Sequence, residues 1–529
     1  MSPYSSIPLQ TAVILFFAVG GAGAANPRVK VENGVLGGVT TPDGSIRIFK
    51  GVPYAAPPVG DLRWKAPRPA PPSSGVRTAD RFAARCYQAS IFSDMIFRDS
   101  GMSEDCLYLN VWTPASATRL PVLVYFHGGG FAAGSGDEPR YDGENFARKG
   151  LITVTVNYRL AVFGFLAHPE LTAEAKGKAS GNYGMLDQVA ALQWVKRNIA
   201  AFGGDPRKVT IGGESAGSFA VSALMASPLA IGLFRGAIGE SGAMFSTGPG
   251  TLAAQPLAKM EQMGIDFASD AGAKSIAELR SQPADKILEA AMKRQAMRFS
   301  PGIDGYFLPA DPAAIYAAGK QAHVPLLAGW NRDEVRMGVL MAKEKPTAQS
   351  FAGRLRQQFG EKAEAASKLY PASNDEEALR SAGDLANDQF LDYCTWKWIE
   401  EHARTGHAAI YRYQFDRPVP LPEGMSVPGV SGLAGHSWEL EYVFGALASK
   451  KAAWSAEDRK ASEAVAAYFA NFIRKGDPNG TGLARWPAFG ATHQVMHLDA
   501  DSHAAPEEHR DRYEFLDSYY RLAGSRPSN

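Results

Sequence analysis

The chain of 529 residues holds only three cysteines, Cys86, Cys106 and Cys394, too few for a disulfide-scaffolded fold or a cysteine-rich zinc module. Its stability must come mostly from a packed core. It also lacks an excess of either charge. There are 55 Lys plus Arg against 54 Asp plus Glu, a formal net charge of +1, so no global field gathers polyanions and nucleic acid is not an expected partner. Hydrophobic residues make up 45% and charged residues 21%, which excludes a disordered, collagen-like or multi-span membrane chain. Length alone allows three or four domains. With no internal repeat, low-complexity block or long Pro/Ser linker, a single catalytic unit over 25–529 is expected instead.

The first 27 residues carry no charged side chain, and within them Ala12-Val13-Ile14-Leu15-Phe16-Phe17-Ala18-Val19 runs into Gly20-Gly21-Ala22-Gly23-Ala24. The A-x-A pattern predicts a secretory signal peptide over 1–24, cut near Ala24, although the basic n-region is missing. Eight strongly apolar residues are too few to span a bilayer core of about 30 Å, and no cysteine follows for a lipid anchor. A secreted or periplasmic location is expected, without a stable membrane anchor after cleavage. An oxidising compartment lets Cys86 and Cys106 pair, and closing a loop of roughly 20 residues contributes roughly 3 kcal/mol in the loop-entropy model. Cys394, among Tyr393, Thr395 and Trp396, reads as a buried apolar filler.

Beyond the signal, short β-branched runs alternate with longer helical patterns, the arrangement of a mostly parallel sheet covered on both faces. Val122 to Phe126 and Ile152 to Val156 are continuous apolar or β-branched runs and read as buried central strands. Leu186, Val189, Leu192, Val195 and Ile199 fall at helical spacing. Further strands are expected at Val209 to Ile211, Gly236 to Ile238, Pro325 to Ala328 and Ala409 to Tyr413. Two stretches near 255–300 and 345–405, rich in Ala, Lys, Glu and Gln, read as helical insertions above the sheet. A last helix is expected to open at Ser455, where Asp458 completes a capping box, and to stop at Gly476.

Gly213-Glu214-Ser215-Ala216-Gly217 matches G-x-S-x-G, but chance alone supplies about 0.3 such pentapeptides in a chain of this composition. Context decides. The pentapeptide follows the strand at Val209 to Ile211 and precedes a helix-forming run, the setting of a nucleophile elbow, in which flanking glycines let neighbouring backbone approach. His127-Gly128-Gly129-Gly130-Phe131 likewise follows a strand. Adjacent N–H groups in such a loop can hold the negative charge that acyl transfer builds on a carbonyl oxygen.

With these two elements in place, the sequence resembles the type B carboxylesterase and cholinesterase family of α/β-hydrolases over nearly the whole mature chain. The resemblance is carried further by Phe49-Lys50-Gly51-Val52-Pro53-Tyr54-Ala55, Ser103-Glu104-Asp105-Cys106-Leu107, Asn157-Tyr158-Arg159, Gly181-Asn182-Tyr183-Gly184 and Gly476-Asp477-Pro478 with Trp486-Pro487. It implies an α/β-hydrolase fold with a large, mostly parallel sheet and helical insertions capping an active-site gorge. It also supports the Cys86 to Cys106 pairing, since the family's N-terminal disulfide ends at the cysteine of the Ser-Glu-Asp-Cys-Leu motif.

Composition cannot choose among the eight histidines beyond Ser215. The family's histidine precedes a Glu-x-x-Tyr/Phe-x-Phe-Gly pattern, which Gly435 to Gly445 matches, so the resemblance selects His436. Its acid lies in an Asn-x-Asp-Glu segment after a strand, which falls on Asn331 to Glu334 and selects Glu334 over Asp333. By the same matching Gly129, Gly130 and Ala216 form the oxyanion hole, Glu214 and Glu439 are a buried acidic pair, and Ser241 stands near the histidine. Two residues depart from the pattern: Glu240 replaces a usual Gln, and Val335 a common Gly.

The implied reaction is hydrolysis of a small-molecule carboxylic ester through an acyl-enzyme, with no metal or cofactor and an acid limb near the ordinary histidine range, around pH 6 to 7. The alternatives are hydrolysis of carbamates, amides or a polyester, and a non-catalytic binding domain of the same fold. Acyl-pocket residues are expected from the insertions at 245–320 and 335–405. Arg332 and Arg336 read as solvated loop residues, with contact to an anionic substrate as the alternative. Asn479-Gly480-Thr481 is a lone glycosylation sequon.

Overall fold

The computed structural model describes residues 26–245, 252–293, 299–421 and 431–524. The signal segment 1–24 and its cleavage point lie outside the described residues. Eleven described strands form one sheet: β1 (Val39–Thr40), β2 (Ile46–Pro53), β3 (Tyr108–Pro114), β4 (Leu120–Phe126), β5 (Ile152–Val156), β6 (Gly204–Glu214), β7 (Gly236–Glu240), β8 (Leu326–Asn331), β9 (Ile410–Phe415), β10 (Gln494–Leu498) and β11 (His503–Pro506). Their order across the sheet is β11-β10-β9-β8-β7-β6-β4-β5-β3-β2-β1. From β10 to β5 every neighbouring pair is parallel, and antiparallel strands close both edges.

The apolar runs are strands because both of their faces are covered. In β4, Val122, Val124 and Phe126 enter the larger core cluster, while the alternating Leu123 and Tyr125 enter a second cluster on the opposite face. Helix α1 (Tyr183–Asn198) covers the first face with Met185, Val189, Leu192 and Val195, and α2 (Ala216–Ala226) lies beside it. Helices α3 (Asp375–Asn387) and α4 (Tyr393–Thr405) come from the second insertion. Helix α5 (Ala456–Lys475) covers the opposite face with Val465, Tyr468, Phe469 and Phe472. Its capping box forms as expected: Asp458 N donates to Ser455 Oγ at 3.1 Å, and Ser455 N to Asp458 Oδ2 at 2.8 Å.

Helix α5 is not the last. Helix α6 (Arg510–Gly524) follows and buries Tyr513, Leu516 and Tyr520, a spacing of three and four residues that puts them on one face. Asn479 does not offer its side chain as the sequon implied. Its carboxamide donates to Asp477 Oδ1 and to the Trp486 carbonyl and accepts from Trp486 N, so a glycan, which takes one Nδ2 hydrogen, would break at least one of these bonds.

The chain passes from β4 to β5 on one side and returns with β6 on the other, so β4 is the topological switch where ligands bind in open α/β sheets. Register lines up the carboxyl ends: Phe126 sits opposite Gly213, Glu214 opposite Glu240, and Glu240 opposite Gly329. Loops leaving β4, β6, β7 and β8 therefore meet above one edge. Cys86 and Cys106 are bonded, and Cys394 is free and buried, its thiol pushed up to about 12 by burial, as a filler residue requires. Reduction of the disulfide, or its replacement by two alanines, is expected to cost about 3 kcal/mol in a urea unfolding titration, since the open loop regains entropy in the unfolded chain.

Candidate active site

Ser215 sits at the tip of the turn between β6 and α2 with φ 54° and ψ −122°. The turn is tight enough that a Cβ on Gly213 would lie 2.5 Å from the Gly217 carbonyl carbon, and one on Gly217 would lie 2.1 Å from the Phe126 carbonyl oxygen. Both positions therefore exclude a side chain. The Ser215 N–H donates to the Glu240 carbonyl at 2.8 Å, which ties the strained residue to the end of β7.

Three of the residues selected in the sequence stand in one hydrogen-bonded line. His436 Nε2 is 3.0 Å from Ser215 Oγ, and its Nδ1 is 2.7 Å from Glu334 Oε2. The other Glu334 oxygen accepts from Ser241 Oγ at 2.6 Å and from Asn331 N at 2.8 Å. Asp333, the rejected neighbour, faces away. It accepts from Ala434 N and pairs with Arg332 at 3.1 Å and Arg336 at 3.2 Å. Neither arginine is on the cavity wall: Arg332 is an exposed loop residue, as read, Arg336 opens a short helix and is partly buried, and both pair with the buried aspartate.

Gly129, with φ 101°, has its Cβ direction blocked by the Ala133 carbonyl, and Gly129 and Gly130 line the same cavity as Ser215. Among the described residues the N–H groups of Gly129, Gly130 and Ala216 have no backbone acceptor. His127 does not join them. It is buried, stacks on Tyr158, and burial holds its pKa down to about 4.

Behind the histidine the site is acidic. Glu214 Oε1 lies 3.2 Å from His436 Nε2, off the line of a hydrogen bond, and that oxygen has no hydrogen-bond partner among the described residues. Glu439 accepts from Asn331 Nδ2, and Glu240 from Tyr125 OH at 3.0 Å. Burial pushes all three carboxyls upward, Glu240 to about 8. For His436 burial acts downward, but the carboxylates of Glu214 and Glu334, with the Glu334 hydrogen bond, outweigh it and hold the imidazole above its ordinary value. The second departure is explained as well: Val335 has φ −124°, where no glycine is needed.

Above Ser215 opens a cavity of about 520 Å³, ample for a drug-sized ligand. The first insertion supplies Leu288, Met292 and Phe299, the second Phe390 and Leu391. The disulfide-closed loop supplies Ile91, Phe92 and Met95, a contribution with no signal in the sequence. Arg140 also reaches the wall, but Glu138 and Asp94 both pair with it. A larger, more open cleft of about 1180 Å³ lies between α4 and α6. Its cations are spent in ion pairs, Lys397 with Glu401 and Asp517 and Arg404 with Glu401, and it holds no nucleophile beside a base. Among the described residues no cluster of His, Cys, Asp or Glu is arranged to hold a metal, and no helix is long and apolar enough to cross a membrane.

Comparison with known proteins agrees with this geometry. The sequence model of the Carboxylesterase family matches residues 25–516. The chain belongs to that family. It is 35% identical over 494 residues to the fumonisin B1 esterase of Sphingopyxis macrogoltabida, covering 88% of this chain and 85% of that one. It is 34% identical over 493 residues to the para-nitrobenzyl esterase of Bacillus subtilis (strain 168), covering 89% and 95%. A solved PNB esterase superimposes with a TM-score of 0.78 at 32% identity, over 93% of this chain and 99% of that one. This carboxylesterase is accordingly an α/β-hydrolase and a carboxylic-ester hydrolase.

An imidazole that accepts a serine proton works only when neutral, and the fraction that is neutral falls as the pH drops through its pKa. With that pKa raised by the flanking carboxylates, the acid limb of kcat/KM is expected above the ordinary 6.5 rather than in the 6 to 7 window. Glu214→Gln removes one of those charges at constant volume. A pH-rate profile should show its limb moved to lower pH by about half a unit or more.

Proposed function

We propose that Ser215 is the nucleophile, His436 the general base and acid, and Glu334 the group that fixes the imidazole's tautomer and stabilises its cation. The observation that carries this is the unbroken line from Ser215 Oγ through His436 to Glu334 at 3.0 and 2.7 Å, opening on a substrate-sized cavity. Ser215 Oγ attacks the ester carbonyl carbon while His436 Nε2 takes its proton. The N–H groups of Gly129, Gly130 and Ala216 receive the oxyanion. The tetrahedral intermediate collapses, the C–O bond to the alcohol breaks, and His436 protonates the departing oxygen. A water deprotonated by His436 then attacks the acyl-enzyme and releases the acid and Ser215. Glu214, Glu439 and Ser241 support the imidazole and its acid. No step calls for a metal or an organic cofactor.

The substrate this cavity favours is an uncharged ester with a large apolar substituent. Its described walls are largely aliphatic and aromatic, and Ile91, Phe92 and Met292 remain 43%, 43% and 46% exposed at its mouth, ready to be covered by a chain that extends past the catalytic residues. Export through the 1–24 segment is part of the same reading. The buried Cys86 to Cys106 bond supports it, because such bonds persist in oxidising compartments. Residues 25–529 act as one unit, with Ser215, Glu334 and His436 drawn from loops spread over most of it.

Two comparisons test this. Ser215→Ala is expected to lower kcat on p-nitrophenyl acetate by at least about 10³-fold; equal turnover by the two proteins would sink the nucleophile assignment. Phe92→Ser should raise KM for a p-nitrophenyl decanoate by about tenfold, as expected for losing one buried aromatic contact. The same change should leave KM for the acetate ester within about twofold, because two carbons do not reach the mouth.

A further inference from the structure

Helix α3 ends at Asn387 and passes directly into a π-turn, Asp388–Asp392, before the chain resumes as α4. A π-turn inserts one extra residue into a helical turn, and such turns are frequent at functional sites. Here it lies between two contacts with the reacting groups. Asn387 is buried, and its carboxamide spans the loop that carries the acid: Oδ1 accepts from Val335 N at 2.9 Å, and Nδ2 donates to the Arg332 carbonyl at 2.9 Å. These two backbone groups bracket the Asp333-Glu334 pair, the Arg332 carbonyl directly before Asp333 and Val335 N directly after Glu334. Three residues on, the Phe390 ring meets the His436 imidazole edge to face, with centroids 5.7 Å apart and planes at 75°. Leu391 continues into the cavity wall.

The chemistry of the bridge is specific. A donor and an acceptor are needed on separate atoms of one short side chain, and only a carboxamide offers both there; an aspartate keeps the acceptor and loses the donor. The Glu334 carboxylate has its own partners in Ser241, Asn331 and His436, but its peptide frame has no regular secondary structure around it. Asn331 ends β8, and the next helix starts at Arg336. A loop of four residues held at both flanks by one buried amide has little freedom to shift its side chain.

We propose that Asn387 is a positioning residue of the triad, pinning the backbone at both ends of the Asp333-Glu334 pair and thereby setting the approach of the Glu334 carboxylate to His436 Nδ1. This rests on Ser215, His436 and Glu334 being the reacting groups. Asn387 touches neither substrate nor reacting atoms; it acts through Glu334, and the π-turn that follows it seats Phe390 against the base.

The test is a double-mutant cycle on hydrolysis of p-nitrophenyl acetate, using the full chain with wild type, Asn387→Ala, Glu334→Gln and the double variant. Asn387→Ala is expected to lower kcat by about 10- to 100-fold, with KM within about twofold, as a misplaced catalytic group does. In the Glu334→Gln background the same change should cost less than about threefold, because a residue that acts through the acid has nothing left to position. A general structural role would lower the melting temperature without that coupling. Equal losses in both backgrounds, or a kcat for Asn387→Ala within about twofold of wild type, would overturn the proposal. If Asn387→Ala does not fold, Asn387→Asp, which matches the native volume, takes its place and is read by the same criteria. Full activity in Glu334→Gln would instead refute the triad itself, an outcome distinct from an active Asn387→Ala beside an inactive Glu334→Gln.

Discussion

The 2.7 Å hydrogen bond between His436 Nδ1 and Glu334 Oε2 joins two loops that are 102 residues apart in sequence, and the rest of the site is arranged around keeping it. Glu334 reaches the histidine from the loop after β8, and His436 N returns a hydrogen bond to the Glu334 carbonyl. The buried carboxylate could not persist there unpaired, since an isolated charge in a low-dielectric interior costs several kcal/mol. Ser241, the Asn331 N–H and the imidazole together meet that cost. The parallel register of β6, β7 and β8 makes the meeting geometrically possible, because it brings the carboxyl ends of all three strands to one level.

A second constraint acts on the proposed nucleophile. Ser215 occupies a backbone conformation in which side chains are rarely found, at φ 54°, and such strain persists only where the surroundings over-determine it. Two backbone approaches too close for any Cβ, at Gly213 and Gly217, and the hydrogen bond to the Glu240 carbonyl supply that determination. The same Glu240 carries its side chain into the acidic group behind the histidine. Its carboxyl, pushed up by burial, stands in place of the family's usual Gln and accepts from Tyr125, so the substitution changes the hydrogen-bonding network behind the histidine.

Much of the fold was legible in the sequence because local pattern and global burial agree there. The run from Val122 to Phe126 is apolar on both faces since both faces are covered, and the capping box at Ser455 is a contact between residues three apart. The elbow at Ser215 was legible from its strand, its glycines and the helix that follows. His436 was not legible from periodicity or composition; only the pattern of the family separated it from seven other histidines. Helix α6 was overlooked although Tyr513, Leu516 and Tyr520 are spaced for one face. The pairing of Arg332 and Arg336 with Asp333 was not legible, because nothing local reveals that Asp333 is turned inward. Asn387 and Phe390 had no signal at all, since a π-turn inside a long insertion sets their direction and one residue of register decides which face they present.

The central claim is that one serine, Ser215, carries the acyl group between the ester and water. It is tested most directly by intact-mass and peptide-mass measurement after treatment with a p-nitrophenyl alkylphosphonate, which phosphonylates an activated serine with release of p-nitrophenolate. The account predicts one adduct per chain, on the peptide that contains Ser215, with ester hydrolysis lost in proportion to labelling. An adduct on a different residue, or continued hydrolysis by fully labelled protein, would contradict it.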